Sequence, residues 1–227
     1  MFPPDVVTFD AGQTLVELDL DFLVGRLAER GIAARPDTLA AAAPAAWRRY
    51  DAVVAEGGSQ AWHAFMTGLL AGSGIGQAAA LADWLWREQP RANLWRRPIP
   101  DMVALARELK AAGARVAVLS NSEGKLAELL AEIGIADAFD AVVDSGREGI
   151  EKPDPRIFAR TLERLAAPAA RAVHVGDSWA ADVEGALAAG WRAIWYRSRP
   201  SAIGGDDPRV AIAGSASEVR AALRALA

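Results

Sequence analysis

Four short apolar runs in this 227-residue chain each lead into a polar side chain that can handle a cation or a phosphate. Residues 5–9 (DVVTF) run into Asp10, and residues 115–119 (RVAVL) into Ser120 and Asn121. Residues 141–143 (AVV) run into Asp144, and residues 172–175 (AVHV) into Gly176 and Asp177. Lys152 lies in EKPDP ahead of a helical stretch, and Asp182 closes GDSWAAD five residues after Asp177. Five residues exceed one helical turn, so Asp177 and Asp182 converge only if the first lies in a turn and the second at a helix start. Carboxylates that meet Asp10 there suit a hard cation with oxygen ligands. Mg²⁺ keeps its waters and binds phosphate oxygens, which fits better than an all-protein Ca²⁺ cage. A hydroxyl at Ser120 and an ammonium at Lys152 would hold the remaining phosphate oxygens.

Each residue also has an ordinary reading. Asp10 could be a turn residue, Ser120 a helix cap and Lys152 a solvated surface group. Asp182 could serve as the negative charge of a helix N-terminus, which favours the same place as a metal ligand. Asp144 is balanced between capping a turn and touching the metal's own ligands, and Asn121 is a candidate phosphate-site donor. His174, inside an apolar strand, reads as a satisfied core histidine, and His63, beside Trp62 and Phe65, as packing. Glu17, Arg48 and Arg49 read as solvated helix face.

What positions these residues is an alternation of strands and helices. The apolar runs, with residues 193–196 (AIWY) and a late run at 210–212, read as buried strands. Helical stretches separate them at residues 101–112, 125–133, 155–166 and 180–189, and Gly113, Gly134 and Gly190 stand where a helix end takes a left-handed residue. The pattern predicts an α/β domain, a Rossmann-like, doubly wound parallel sheet with helices on both faces. Ligands bind such sheets outside the carboxyl ends of the strands, where the polar residues cluster. Ser217 is expected to cap a closing helix that ends near Leu226.

Residues 17–95 differ. They hold no convincing strand, and Gly31, Gly57–58 and Gly72–74 divide them into about four helices, with Asp37 and Ser59 as expected N-caps. Five of the eight Trp fall here, and most are expected to form the core of the insertion. The expected organisation is a core domain of residues 1–16 and 96–227 with an all-helical cap domain of residues 17–95.

Composition narrows the functional classes. A net charge of −4, with only the pair Arg48 and Arg49 as a basic cluster in the insertion, gives no nucleic-acid surface. The absence of Cys excludes thiol and disulfide chemistry, and two His make a His-rich zinc site improbable. No apolar run approaches a membrane span, and MFPPDVVTFD lacks the pattern of a signal peptide, so a cytoplasmic location is expected. The sequence leaves the oligomeric state open.

The segments FDAGQTL (9–15), VLSNS (118–122), Lys152 in EKPDP and VGDSWAAD (175–182) together resemble the haloacid dehalogenase superfamily of hydrolases, in its order and spacing, with the helical cap inserted after the first strand. The resemblance spans essentially the whole chain. It implies that Asp10 is a nucleophile that takes a phosphoryl group as an aspartyl-phosphate. It implies that Ser120 hydrogen-bonds a phosphoryl oxygen and that Lys152 neutralises charge between nucleophile and substrate. It further implies Mg²⁺ held by Asp10, the Gly12 carbonyl and Asp177, with Asp182 binding it or orienting its water. Phosphatases of that superfamily carry a second Asp where this chain has Gly12, as acid and base for the leaving group and the water; Gln13 likewise replaces the usual Gly.

The expected function is Mg²⁺-dependent hydrolysis of a small phosphorylated metabolite. A carbon–halogen hydrolase would also use Asp10, but resembling dehalogenases carry an aromatic residue at the Gly12 position and lack the GDxxxxD pattern. A non-enzymatic phosphate-ligand or protein-binding descendant draws its support from Gly12. A phospho-accepting receiver domain shares the Asp, Ser and Lys logic but not the helical insertion.

Overall fold

The computed structural model describes residues 4–58, 60–167, 171–197 and 207–226. It divides into two compact units, one of residues 1–17 and 95–227 and one of residues 18–94.

The first unit is built on a six-stranded sheet in the order β5-β4-β1-β6-β7-β8. The strands are β1 (Val6–Phe9), β4 (Arg115–Ser120), β5 (Ala141–Asp144), β6 (Ala172–Gly176), β7 (Arg192–Tyr196) and β8 (Val210–Ala213). Every pairing is parallel. β1 lies between β4 and β6, and the chain fills the sheet outward on one side of β1 before crossing to the other. The carboxyl ends of β1 and β6 therefore flank the point where strand order reverses, the place where open α/β sheets bind ligands.

Strand alternation explains why these runs are apolar throughout. Val7, Phe9, Val116, Val118, Val173, Val175 and Ile194 pack into one core, and Val6, Ala117, Leu119, Ala172, Ala193 and Trp195 into another. With both faces buried, a strand has no solvent side to make polar. Thr8 and His174 break that rule on facing positions of β1 and β6, where they hydrogen-bond each other.

Helices α5 (Pro100–Ala111), α6 (Leu126–Glu132), the one-turn α7 (Ser145–Glu148), α8 (Pro155–Leu165), α9 (Glu184–Ala188) and α10 (Ala216–Ala225) connect or close the strands. Gly113, Gly134 and Gly190 follow α5, α6 and α9 with φ of 95°, 74° and 78°, the left-handed conformation expected of them. The cap of α10 differs from expectation. Ser215, not Ser217, takes the extended N-cap conformation and accepts the Glu218 N–H, and Ser217 lies inside the first turn.

The second unit contains α1 (Leu20–Ala28), α2 (Pro36–Ala55), α3 (Ala61–Gly72) and α4 (Ala78–Glu88). The Ala-rich stretch of α2 has a packing role. A side-chain carbon at Gly72 would come within 3.1 Å of the Ala42 Cβ, and one at Gly68 within 3.5 Å of the Ala46 Cα, so small residues let α2 and α3 approach closely. Three expectations for this segment are corrected. Asp37 does not cap α2, because Pro36 already occupies the first helical position, where its missing N–H has no helical partner to lose. The Trp residues do not form the core: Leu23, Leu27, Leu39, Phe65, Met66, Leu69, Leu70 and Leu85 do, while Trp86 is 43% exposed and Trp47, Trp62 and Trp84 are half-buried. An indole is large, so it is commonly well covered without being fully buried. Nor is the segment bounded without strands: β2 (Val16–Leu18) pairs with β3 (Trp95–Pro98) where the chain leaves and re-enters the first unit. Ser59, the other expected cap, lies outside the described residues. Among the described residues, no helix is long and apolar enough to cross a membrane.

Candidate active site

Asp10 follows β1 directly, and its backbone N–H still bonds the Val175 carbonyl of β6, so the neighbouring strand fixes its place. The chain then turns sharply. The Ala11 carbonyl accepts from the N–H groups of Leu15 and Val16, and the Gln13 N–H donates to Val16. Gln13 holds the turn with a φ of 57°, a left-handed conformation that Gly would adopt without steric cost. Gly12 is not left-handed, and a side-chain carbon there would make only ordinary contacts, 3.8 Å to Trp95 and 4.0 Å to Asp10 Oδ2.

Across the switch point, Asp177 and Asp182 follow β6. Asp182 lies in a π-helical turn, Trp179–Val183, that opens α9. The wider turn carries its side chain back against the strand end, which a regular helix with the same five-residue spacing would not do. Gly176 makes that approach possible, because a side-chain carbon there would stand 2.3 Å from the Asp182 Cγ. Asp182 Oδ2 accepts the Ser178 N–H at 2.8 Å. The Asp177 carbonyl is held by the Trp195 indole N–H at 3.0 Å. One carboxylate oxygen from each of Asp10, Asp177 and Asp182 lies within 4.8 Å of the others.

Lys152 is buried at the centre of this group. Its ammonium donates to Asp10 Oδ1 at 2.6 Å, to Asp182 Oδ1 at 2.5 Å and to the Leu119 carbonyl at 2.8 Å. All three N–H bonds are thus engaged by protein, and Lys152 fixes one oxygen of Asp10 and leaves the other. Burial alone would depress the Lys152 pKa; the charges of Asp10 and Asp182 outweigh it and raise it. Burial pushes the Asp10 carboxyl up, Lys152 opposes this and the Asp182 charge adds to it. Burial works the same way on Asp182, but the Lys152 ammonium and the His174 hydrogen bond hold it well below the usual carboxylate range.

The remaining expected residues divide. The Ser120 hydroxyl stands at the end of β4, buried, with no hydrogen-bond partner among the described residues. Asn121 behaves differently from a simple phosphate donor. Its side chain accepts the Lys152 N–H at 2.8 Å and donates to the Lys152 carbonyl at 3.0 Å, clamping the backbone that carries the ammonium. Asp144 is a loop clamp: its carboxylate accepts the N–H groups of Gly124, Leu126 and Gly146 and lies outside the acidic trio. His174 is a satisfied core histidine, as its apolar surroundings predict, but its partner is Asp182. No sequence signal marks that contact, because His174 and Asp182 meet only through the π-helical turn. The same is true of the close approach at Gly176.

The donor set fits a hard dication. It is all oxygen, and three carboxylates against one ammonium leave an excess of negative charge in a buried space. Burial is the main cause that raises Asp10 and the Asp182 charge adds to it, and a bound cation would oppose both.

Comparison with known proteins then decides the family, since the haloacid dehalogenase-like hydrolases match residues 4–190. The chain belongs to the haloacid dehalogenase-like hydrolases. Among similar proteins of this family is haloacid dehalogenase-like hydrolase domain-containing protein 3 of Mus musculus, 42% identical over 78 residues, 34% of this chain and 31% of that protein. Another is phosphoserine phosphatase of Thermus thermophilus, 37% identical over 126 residues, 55% of this chain and 49% of the relative. In both, the similarity spans less than half of the relative's length. Among solved structures, 2-haloacid dehalogenase from Pseudomonas syringae superposes with a TM-score of 0.63 and 25% identity, covering 100% of each chain.

Proposed function

We propose that this haloacid dehalogenase-like hydrolase is a Mg²⁺-dependent phosphohydrolase of a small phosphorylated metabolite, working through a phosphoryl group carried on Asp10. The observation that carries the reading is the convergence of buried Asp10 and Asp182 with half-buried Asp177, and the Lys152 ammonium lodged against Asp10. The similarity to a phosphoserine phosphatase supports a phosphorylated substrate.

In this reading the free oxygen of Asp10 attacks phosphorus, the bond to the leaving oxygen breaks, and that oxygen departs with the electron pair. Water then attacks the aspartyl-phosphate, and phosphate leaves with Asp10 regenerated. Lys152 orients the nucleophile and offsets its charge, Asn121 keeps Lys152 in place, and the Ser120 hydroxyl donates to a phosphoryl oxygen. Asp10, Asp177, Asp182 and the Gly12 carbonyl would hold Mg²⁺, which supplies positive charge to the transferring group. The helical unit, residues 18–94, acts as a cap that excludes bulk water. Because Gly12 has no side chain to protonate a leaving group, the preferred substrates are acyl or aryl phosphates, whose leaving groups depart as stable anions.

The likeness to a 2-haloacid dehalogenase favours a second reading, carbon–halogen hydrolysis by Asp10. That chemistry has no use for a dication, and three converging carboxylates argue against it. A third reading, a phosphate-binding protein without turnover, rests on Gly12. One experiment separates the three. The purified chain is assayed with and without Mg²⁺ against acyl, aryl and alkyl phosphates and 2-haloacids. Metal-dependent phosphate release supports the proposal, metal-independent halide release replaces it with the second reading, and binding of phosphate esters without release replaces it with the third.

A further inference from the structure

His174 is the buried group for which the mechanism above has no use. It is fully buried on β6, with the Phe158 ring packed edge-on against it at 5.5 Å between centroids. Its Nδ1 lies 2.7 Å from the Thr8 hydroxyl and its Nε2 3.0 Å from Asp182 Oδ1. Thr8 and His174 face each other in the β1–β6 register, so the sheet itself sets the first contact. The second fixes the tautomer. A carboxylate can only accept, so Nε2 must carry the proton, and a neutral ring then leaves Nδ1 bare to accept the Thr8 O–H.

Asp182 Oδ1 therefore receives two donors, the His174 Nε2–H and the Lys152 ammonium, while Oδ2 receives the Ser178 N–H. Without the imidazole, Oδ1 of this buried carboxylate would be held by Lys152 alone, leaving only the Lys152 ammonium and the Ser178 N–H to resist rotation about its Cβ–Cγ bond. Lys152 would follow, because Asp182 is one of its three partners, and so would the Asp10 oxygen that Lys152 holds. The chain of contacts runs Thr8, His174, Asp182, Lys152, Asp10, from the interior of the sheet to the nucleophile.

We propose that Thr8 and His174 form a positioning pair that locks the Asp182 carboxylate and, through it, the Lys152 ammonium against Asp10. The consequence for Mg²⁺ rests on the function proposed above; the consequence for Lys152 does not. Partners that orient metal-ligating groups from outside the ligand set typically carry about 10–100-fold in affinity or activity.

The test uses the full chain and the variants His174→Phe, His174→Gln and Thr8→Val. His174→Phe keeps a ring of similar size without a donor, His174→Gln restores an N–H near Asp182, and Thr8→Val removes the hydroxyl at constant shape. Nitrogen NMR reads the His174 tautomer and the Lys152 ammonium signal, and calorimetry reads Mg²⁺ binding. The expected result is an Nε2–H tautomer in the wild type. In His174→Phe, the Lys152 ammonium exchanges faster, Mg²⁺ affinity drops by about 10–100-fold, and kcat falls with KM little changed. His174→Gln recovers much of each loss, and Thr8→Val falls between. An Nδ1–H tautomer would overturn the proposal. So would a folded His174→Phe with an unaltered Lys152 signal, or Gln and Phe variants equally impaired. If the wild type binds no Mg²⁺, the proposed function fails, and the Lys152 signal still decides the positioning role. If His174→Phe does not fold, His174→Gln and Thr8→Val carry the comparison.

Discussion

At the scale of single residues, Gly12 is where chemistry and space can be separated. A side-chain carbon there makes only ordinary contacts and needs no left-handed backbone, so Gly12→Asp starts from an unstrained Cβ. If the Asp supplies the missing proton, alkyl phosphate turnover should rise more than aryl turnover, by up to the 10²–10⁴-fold that general acid–base catalysis commonly contributes. Rate against leaving-group pKa for the natural chain and the variant measures this; parallel lines would mean that another group already donates the proton. Asp144 gives the opposite kind of test. Its carboxylate holds three loop amides, so Asp144→Ala leaves the buried Leu126 N–H and the part-buried Gly124 N–H without this acceptor, while the Gly146 N–H keeps the Ser122 carbonyl. The expected cost is about 1–3 kcal/mol per buried donor left without a partner, with Mg²⁺ affinity little changed. Denaturant unfolding and metal titration of the same sample read both, and a loss of metal binding without loss of stability would return Asp144 to the metal site.

Asp10, Ser120 and Asp177 were legible in the sequence because they stand at or just after the ends of apolar runs, and strand ends are where a parallel sheet exposes its ligand-binding edge. What they do to one another was not. Asn121 gives no sequence signal that its amide pairs with the Lys152 backbone, because the two are brought together only by the order of β4 and the loop before α8. His174 looked like core and is core; its contact with Asp182 needed the π-helical turn.

At the scale of elements, two local devices carry predictions. Gly176 ends β6 where Asp182 folds back, and a methyl group there would overlap the Asp182 carboxyl. Gly176→Ala should therefore displace Asp182 and lower Mg²⁺ affinity by about 10–100-fold while the sheet persists by circular dichroism; an unchanged affinity would show that Asp182 is not needed there. The second device is the N-cap of α8, Asp154, which accepts the Arg156 N–H. Its pairing with the Arg156 side chain is the main cause that lowers its pKa from 3.8 to about 2. A carboxyl with a depressed folded pKa stabilises the fold above its unfolded value and loses that contribution as pH falls through the folded one. The stability difference between the wild type and Asp154→Ala should thus be constant above about pH 5 and vanish towards pH 2. The group is exposed, so high salt should shrink the difference. Element boundaries were the least legible level. Asp37 and Ser217 have the right residue type for caps, but Pro36 and Ser215 stand one and two residues earlier and start their helices first. The strands β2 and β3 are three and four residues long, too short for any alternation to register.

At the scale of the whole molecule, the helical unit is inserted between β1 and the rest of the sheet, so the chain crosses between units twice, beside β2 and β3. If that unit is a cap, the two should close on a phosphate mimic with Mg²⁺, and small-angle scattering should record a smaller radius of gyration than without ligand; an unchanged curve at saturation would remove the cap from the mechanism. The central claim is nearer the chemistry, that Asp10 carries the phosphoryl group in a Mg²⁺-dependent step. Without a carboxyl at position 12 to activate water, the aspartyl-phosphate should persist long enough to trap. The direct measurement is acid quenching of the chain during turnover of an acyl or aryl phosphate, followed by mapping of the phosphate by mass spectrometry. Phosphate is expected on Asp10 in the presence of Mg²⁺, with none after chelation and none in Asp10→Asn. Turnover with Asp10 unmodified, or Asp10→Asn turning over as fast as the natural chain, would contradict it.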